Sequence, residues 1–125
     1  MRFIRGIIHH LDRWFGEGEI DEIWIIHPDP RSKPGDAKRR LTSPRFLKMY
    51  RSLLVPGGKV RVKTDDQDLF AFSLESFAGE GRKLIAETRD LHSSPLLADH
   101  MGIITDYEQL ALDQGKAICY GVWSL

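Results

Sequence analysis

The chain has 125 residues, 42% hydrophobic and 29% charged, with 18 basic side chains balanced by 18 acidic ones. That length suits one domain, residues 1–125, with an ordinary core, and the composition excludes a disordered chain. No apolar run is long enough to span a bilayer, MRFIRGIIHH does not read as a signal peptide, and the lone Cys119 excludes an intrachain disulfide, so a cytoplasmic protein without membrane association is expected.

Arg2–Arg5 reads as a short strand, followed by an amphipathic stretch, His9–Phe15, whose Leu11, Trp14 and Phe15 share one helical face. After a polar turn at Glu17–Glu19, Glu22–Ile26 is the nearly continuous apolar run of a strand covered on both faces. It ends at His27. Thr42 or Ser43 is suited to cap the next helix, with Pro44 in its first turn and Phe46, Leu47, Tyr50, Leu53 and Leu54 as its apolar stripe. Pro56-Gly57-Gly58 stops that helix, Lys59–Lys63 follows as a strand, and Leu69–Phe77 is a helix with Leu69, Phe72, Leu74 and Phe77 as core candidates. A strand at Lys83–Thr88, an irregular loop at His92–Gly102, a short helix at Tyr107–Leu112 and a strand at Ala117–Trp123 complete the chain. The last strand is expected to pair in hairpin fashion with Lys83–Thr88, placing Cys119 in the interior.

This alternation implies an open α/β sheet with right-handed crossovers, in which ligands bind beyond the carboxyl ends of the strands. Three polar exits are expected on that edge: Gly6–Ile8, His27–Lys33 and Thr64–Asp66. Charge is segregated toward the second of them. Between Arg31 and Arg51 there are eight Lys or Arg residues and one acid, Asp36, whereas the remainder holds ten bases and seventeen acids. Such a block is either a solvated face or an anion site, and its proximity to Asp29 favours the second.

Asp29 lies between Pro28 and Pro30, which restrict its backbone before any ligand arrives. It is either a functional carboxylate or the acceptor for amides in its own turn. Asp66 reads as a helix cap, while Asp65 is expected to share a cleft with Asp29, where carboxylates would suit the donor edge of guanine. Thr105-Asp106-Tyr107-Glu108 has the form of a capping box, and capping alone would account for it. His9, His10, His27, His92 and His100 lack ligand spacing, so no metal site is expected. No phosphate-binding glycine loop is present.

Taken in order, HPDPRSK, AKRRLTSPRFL, LVPGGKVRVKTDD, ITDYE and GKAICY resemble the bacterial tRNA (guanine-N7-)-methyltransferases over nearly the whole chain. The resemblance implies a partial Rossmann-like class I methyltransferase sheet with helices on both faces. It also implies transfer of a methyl group from S-adenosylmethionine to a variable-loop guanine of tRNA. By that resemblance Asp29 is the catalytic and donor-proximal carboxylate, Lys33 and Asp65 contact substrate, and Thr105, Asp106, Tyr107 and Glu108 form the substrate-binding segment. Lys38, Arg39 and Arg40 would meet the tRNA backbone.

The departures are specific. The family's phenylalanine is His27, its tryptophan is Arg31, its basic run is replaced by Pro34-Gly35-Asp36-Ala37, and Ile7 stands where an aspartate commonly contacts the cofactor. The chain begins at what resembles the third strand of the fold, without the glycine-rich first strand and acidic second strand. A non-catalytic tRNA-binding relative is therefore the alternative to the enzyme. A sheet edge left open by that arrangement implies a homodimer, a strand rearrangement or a segment supplied from upstream.

Overall fold

The computed structural model describes residues 8–100 and 104–125. The strand expected at Arg2–Arg5, the exit residues Gly6 and Ile7, and the loop residues Met101 and Gly102 lie outside that set. Among the described residues four strands form one sheet: β1 (Ile20–Ile26), β2 (Leu54–Thr64), β3 (Lys83–Thr88) and β4 (Cys119–Ser124), in the spatial order β1-β2-β4-β3. β1 and β2 are parallel, and β4 runs antiparallel to both β2 and β3. The expected pairing of the last strand with Lys83–Thr88 is present, but β4 also inserts beside β2, which explains why nearly all of it is buried.

Alternation along the strands sorts side chains between two layers. Ile25, Val60, Val62, Cys119 and Trp123 pack beneath α2 (Pro44–Leu53) and α3 (Gln67–Gly79), which contribute Phe46, Leu47, Tyr50, Phe70 and Phe77. On the opposite face, Trp24, Ile118, Tyr120 and Val122 are covered by Leu91, Leu96, Leu97, Ala111 and Leu112. These come from two 3-10 turns, Leu91–Ser93 and Pro95–His100, and from α4 (Asp106–Asp113). The segment expected as an irregular loop is thus largely 3-10. The stretch expected as one N-terminal helix is a 3-10 turn, Ile8–His10, running into the single turn α1 (Leu11–Trp14).

Three local differences have physical reasons. Ser43 occupies the N-cap position of α2 ahead of Pro44, yet its hydroxyl donates to Lys38 O at 3.1 Å, and Thr42 instead pairs with Ser73 Oγ at 2.7 Å. Pro56-Gly57-Gly58 follows the end of α2 at Leu53 but forms a bulge within β2, since pairing jumps from Ile20–Leu54 to Glu22–Lys59 and Gly57 has φ 76°. In α3 Phe70 and Phe77 are fully buried, while Phe72, expected in the core, is half-buried beneath the Arg40 guanidinium, 4.5 Å from its ring centre. A cation on that ring keeps it near the surface.

Gly121 is required by its neighbour. A Cβ there would lie 2.4 Å from the Trp123 ring, which stacks on Phe77 at 4.0 Å and 6°. Stacking of this kind adds about 0.5–1.5 kcal/mol to the burial of both rings.

Candidate substrate site at the strand exits

β1 and β2 end side by side, with Ile26 paired to Lys63 and the His27 amide donating to Lys63 O at 2.7 Å. Beyond that point the chain turns sharply: His27 and Arg31 both adopt positive φ, 46° and 48°, although neither is glycine. Such conformations are strained for side-chain-bearing residues and mark a loop held by its surroundings.

The His27 side chain is 5% exposed, and it brings two of the sequence-predicted segments together. Its Nδ1 is 3.6 Å from Asp65 Oδ1, and its ring lies 5.2 Å from that of Tyr107. Neither ring nitrogen has a hydrogen-bond partner, because 3.6 Å is an ion-pair approach rather than a hydrogen bond. Burial lowers the His27 pKa below its usual value, outweighing the opposing pull of Asp65 and Glu108. The neutral ring is the form the fold favours.

Glu108 lies deeper. Thr105 caps α4 by accepting from the Glu108 amide at 3.1 Å, but the glutamate does not complete the capping box. Its carboxylate is fully buried, with Oε2 3.1 Å from Lys63 Nζ and Oε1 3.3 Å from His92 Nε2. Lys63 is itself 2% exposed. A buried charge pair of this kind persists because both partners are satisfied together. It clamps the start of α4 to the end of β2 and so fixes Tyr107, the residue just before Glu108, over His27.

Asp65, Tyr107, Leu110, Ala111, Gln114 and Lys116 line a cleft of about 200 Å³. Asp29 is not among the residues lining this cleft. The Asp29 side chain is 70% exposed; its Oδ1 accepts from the Arg31 amide at 3.0 Å, and its Oδ2 lies 3.6 Å from Arg31 Nε. This is the turn arrangement anticipated as its structural role, with the outer carboxylate edge still open to solvent.

Arg31 connects that loop to a second cleft, of about 460 Å³, lined by His9, Arg31, Lys38, Arg39 and Arg45. Among the described residues no carboxylate lines it, and although Asp36 Oδ1 lies 3.7 Å from Arg39 Nη1, the charge along its wall is in positive excess. Arg40 lies apart, its guanidinium donating to Pro30 O and Arg31 O at 3.0–3.1 Å. It acts as a staple for the loop. Lys33 and Asp106 are exposed, Lys33 as the residue before the 3-10 turn Pro34–Arg39 and Asp106 as the first of α4.

The histidines lack ligand spacing in the sequence, yet folding brings His9 to Arg45 and Phe46, His27 to Asp65 and Tyr107, and His92 to Glu108. The signal for Lys63 was present: in VRVKT it alternates with Val60 and Val62, which places it on the face opposite the α2 and α3 core. Nothing local to Lys116 marks it.

A sheet ordered β1-β2-β4-β3 with an antiparallel inserted strand, helices on both faces and polar groups gathered at the parallel strands' exits defines part of a class I methyltransferase fold. Residues 2–120 match a family model described as "Putative methyltransferase", and the chain belongs to that family. It is similar to proteins named tRNA (guanine-N(7)-)-methyltransferase from three bacteria. That of Cytophaga hutchinsonii is 44% identical over 120 residues, covering 94% of this chain and 54% of the relative. Those of Bacteroides fragilis and Brevibacillus brevis are 41% and 39% identical over 118 residues, each covering 94% of this chain and respectively 46% and 54% of the relative. The chain spans about half the length of the curated relatives it matches.

Proposed function

We propose that this chain acts as a tRNA (guanine-N7-)-methyltransferase, with the described residues supplying the tRNA-binding and guanine-positioning side of the site. The observation that carries this reading is the meeting of Asp65, Tyr107 and His27 at one sheet edge, with a predominantly basic cleft reached through Arg31. Guanine N7 offers a free lone pair, so the residues must orient a base rather than deprotonate it. In this reading Asp65 and Tyr107 hold the base, Thr105 and the inward-facing Glu108 position Tyr107, the exposed Asp106 and Lys33 contact substrate, and Lys38 and Arg39 meet tRNA phosphates while Arg40 shapes their loop. Asp29 is the catalytic carboxylate nearest the methyl donor. The protein is cytoplasmic, and β1, an edge among the described strands, is covered by a second copy or by further chain.

S-adenosylmethionine is the donor this family membership implies. The described residues do not form a whole pocket for it. At the β1 exit they offer the single carboxylate Asp29, already paired with Arg31. The two glycines at which a Cβ would clash, Gly58 and Gly121, face Leu54, Val55 and Trp123 rather than a cleft able to cradle a ligand.

Unmodified tRNA incubated with the protein and methyl-labelled S-adenosylmethionine, then cleaved chemically at N7-methylguanine, should give a fragment ending in the variable loop. Asp29→Ala should abolish it. In parallel, log K for tRNA should fall by about 0.9 per log unit of salt for each duplex phosphate neutralised, and Lys38→Ala with Arg39→Ala should flatten that slope. Salt-sensitive binding with no label transferred would leave only the non-catalytic reading, and absence of tRNA binding would refute both.

A further inference from the structure

The cleft beside Tyr107 contains a cation that the proposed function does not use. Lys116 lies in the turn between α4 and β4, where its backbone is fixed by the end of the helix. Gly115, at φ 76°, donates to Leu112 O at 2.9 Å, and the Lys116 amide donates to Ala111 O at 3.0 Å. These two bonds form a Schellman motif, which only a residue tolerant of positive φ accommodates readily. The motif directs Lys116 back across the end of α4, and its Nζ comes to 3.5 Å from Asp65 Oδ2.

At that separation the pair is not closed by a hydrogen bond, nor is Asp65 Oδ1 so bonded to His27 at 3.6 Å. The cleft therefore presents an acceptor group and a donor group side by side, Asp65 being 13% and Lys116 54% exposed. Its wall is apolar: Tyr107 and Leu110 are 59% and 55% exposed, one helical turn apart, with the His27 ring supporting Tyr107 from beneath. A flat aromatic face next to a donor and an acceptor is suited to a single unpaired nucleobase.

The order of the polar groups selects which base. Guanine carries an acceptor, O6, directly beside a donor, N1–H, with the 2-amino donor beyond. Adenine carries an amino donor and a bare ring nitrogen in the same two places. With guanine stacked on Tyr107, Lys116 donates to O6 while both Asp65 oxygens accept from N1–H and the 2-amino group. Adenine would set its amine against the ammonium and its lone pair against the carboxylate. We propose that Lys116 is a specificity-determining residue that reads guanine O6, in concert with Asp65. This rests on the reading of the chain as a guanine-directed RNA-binding enzyme.

The test uses the protein with short single-stranded RNAs differing at one position, guanine, inosine or adenine, followed by fluorescence anisotropy at fixed salt. The quantity read is the ratio of affinities, in which backbone contacts and the loss of one positive charge largely cancel. Wild type should prefer guanine over adenine by about tenfold or more, with inosine between them. Lys116→Met should lower the guanine-to-adenine ratio by about tenfold, and Lys116→Arg should restore much of it. Circular dichroism should be unchanged in both variants, since Lys116 lies on the surface. An unaltered ratio in Lys116→Met, with wild type still discriminating, would overturn the role of Lys116 alone. Wild type that binds all three RNAs equally, or none, would overturn the guanine-directed reading together with it.

Discussion

Removing the charge of Glu108 while keeping its shape, by Glu108→Gln, would take from the buried Lys63 ammonium the carboxylate that lies 3.1 Å away. Both side chains are at most 2% exposed and 3.1 Å apart, so solvent cannot replace the lost partner. Breaking such a pair costs about 3–5 kcal/mol, far above the value of a surface salt bridge. For a domain of this size, roughly 4 °C of melting temperature per kcal/mol converts that to a fall of about 12–20 °C. Lys63→Met should cost a similar amount, because it removes the ammonium from the buried carboxylate, whose other described partner is His92 at 3.3 Å. The double variant removes both charges and should be clearly more stable than the sum of the single losses predicts. Urea unfolding followed by circular dichroism measures all four proteins. Single losses below about 1 kcal/mol, or a double variant additive to within about 0.5 kcal/mol, would refute the claim that this pair anchors α4 to β2.

Two further outcomes follow from the core and the exit. Gly121→Ala should destabilise by about 1–3 kcal/mol, because its Cβ would meet the Trp123 ring at 2.4 Å and displace it from Phe77. A neutral result in the same unfolding assay would show that the indole moves freely. For His27, burial holds the folded pKa below the usual 6.5, so the unfolded chain takes the proton first as pH falls. Stability contributed by the neutral ring is therefore present above pH 6.5 and lost as pH falls toward the folded value. His27→Phe should flatten the stability profile between about pH 7 and 5, and a slope equal to that of wild type would show that His27 is not the group responsible.

The polar exits of β1 and β2 were legible in advance because strand ends are punctuated locally. His27, Pro28, Thr64 and Asp65 interrupt apolar alternation wherever they are read. Asp66 was recognisable as a cap for the same reason, and it accepts from the Leu69 amide at 2.7 Å. Capping, turns and alternation depend on neighbours a few residues away, which a sequence displays directly. Phe70 was passed over and Phe72 taken for core because the α3 stripe is broad, and only Arg40, from another loop, decides which ring remains outside.

The sequence by itself determined the order of strands and helices, the basic block from Arg31 to Arg51 and the blocks shared with its family. Tertiary structure alone decided that Glu108 faces inward to Lys63 and His92 rather than outward to a ligand, and that Lys116 reaches Asp65 across the end of α4. Those pairs are separated in the chain by 45, 16 and 51 positions and become neighbours only when β4 inserts between β2 and β3 and α4 closes over the sheet. Burial and charge complementarity act through space, and the distances on which they depend exist only once the sheet has formed.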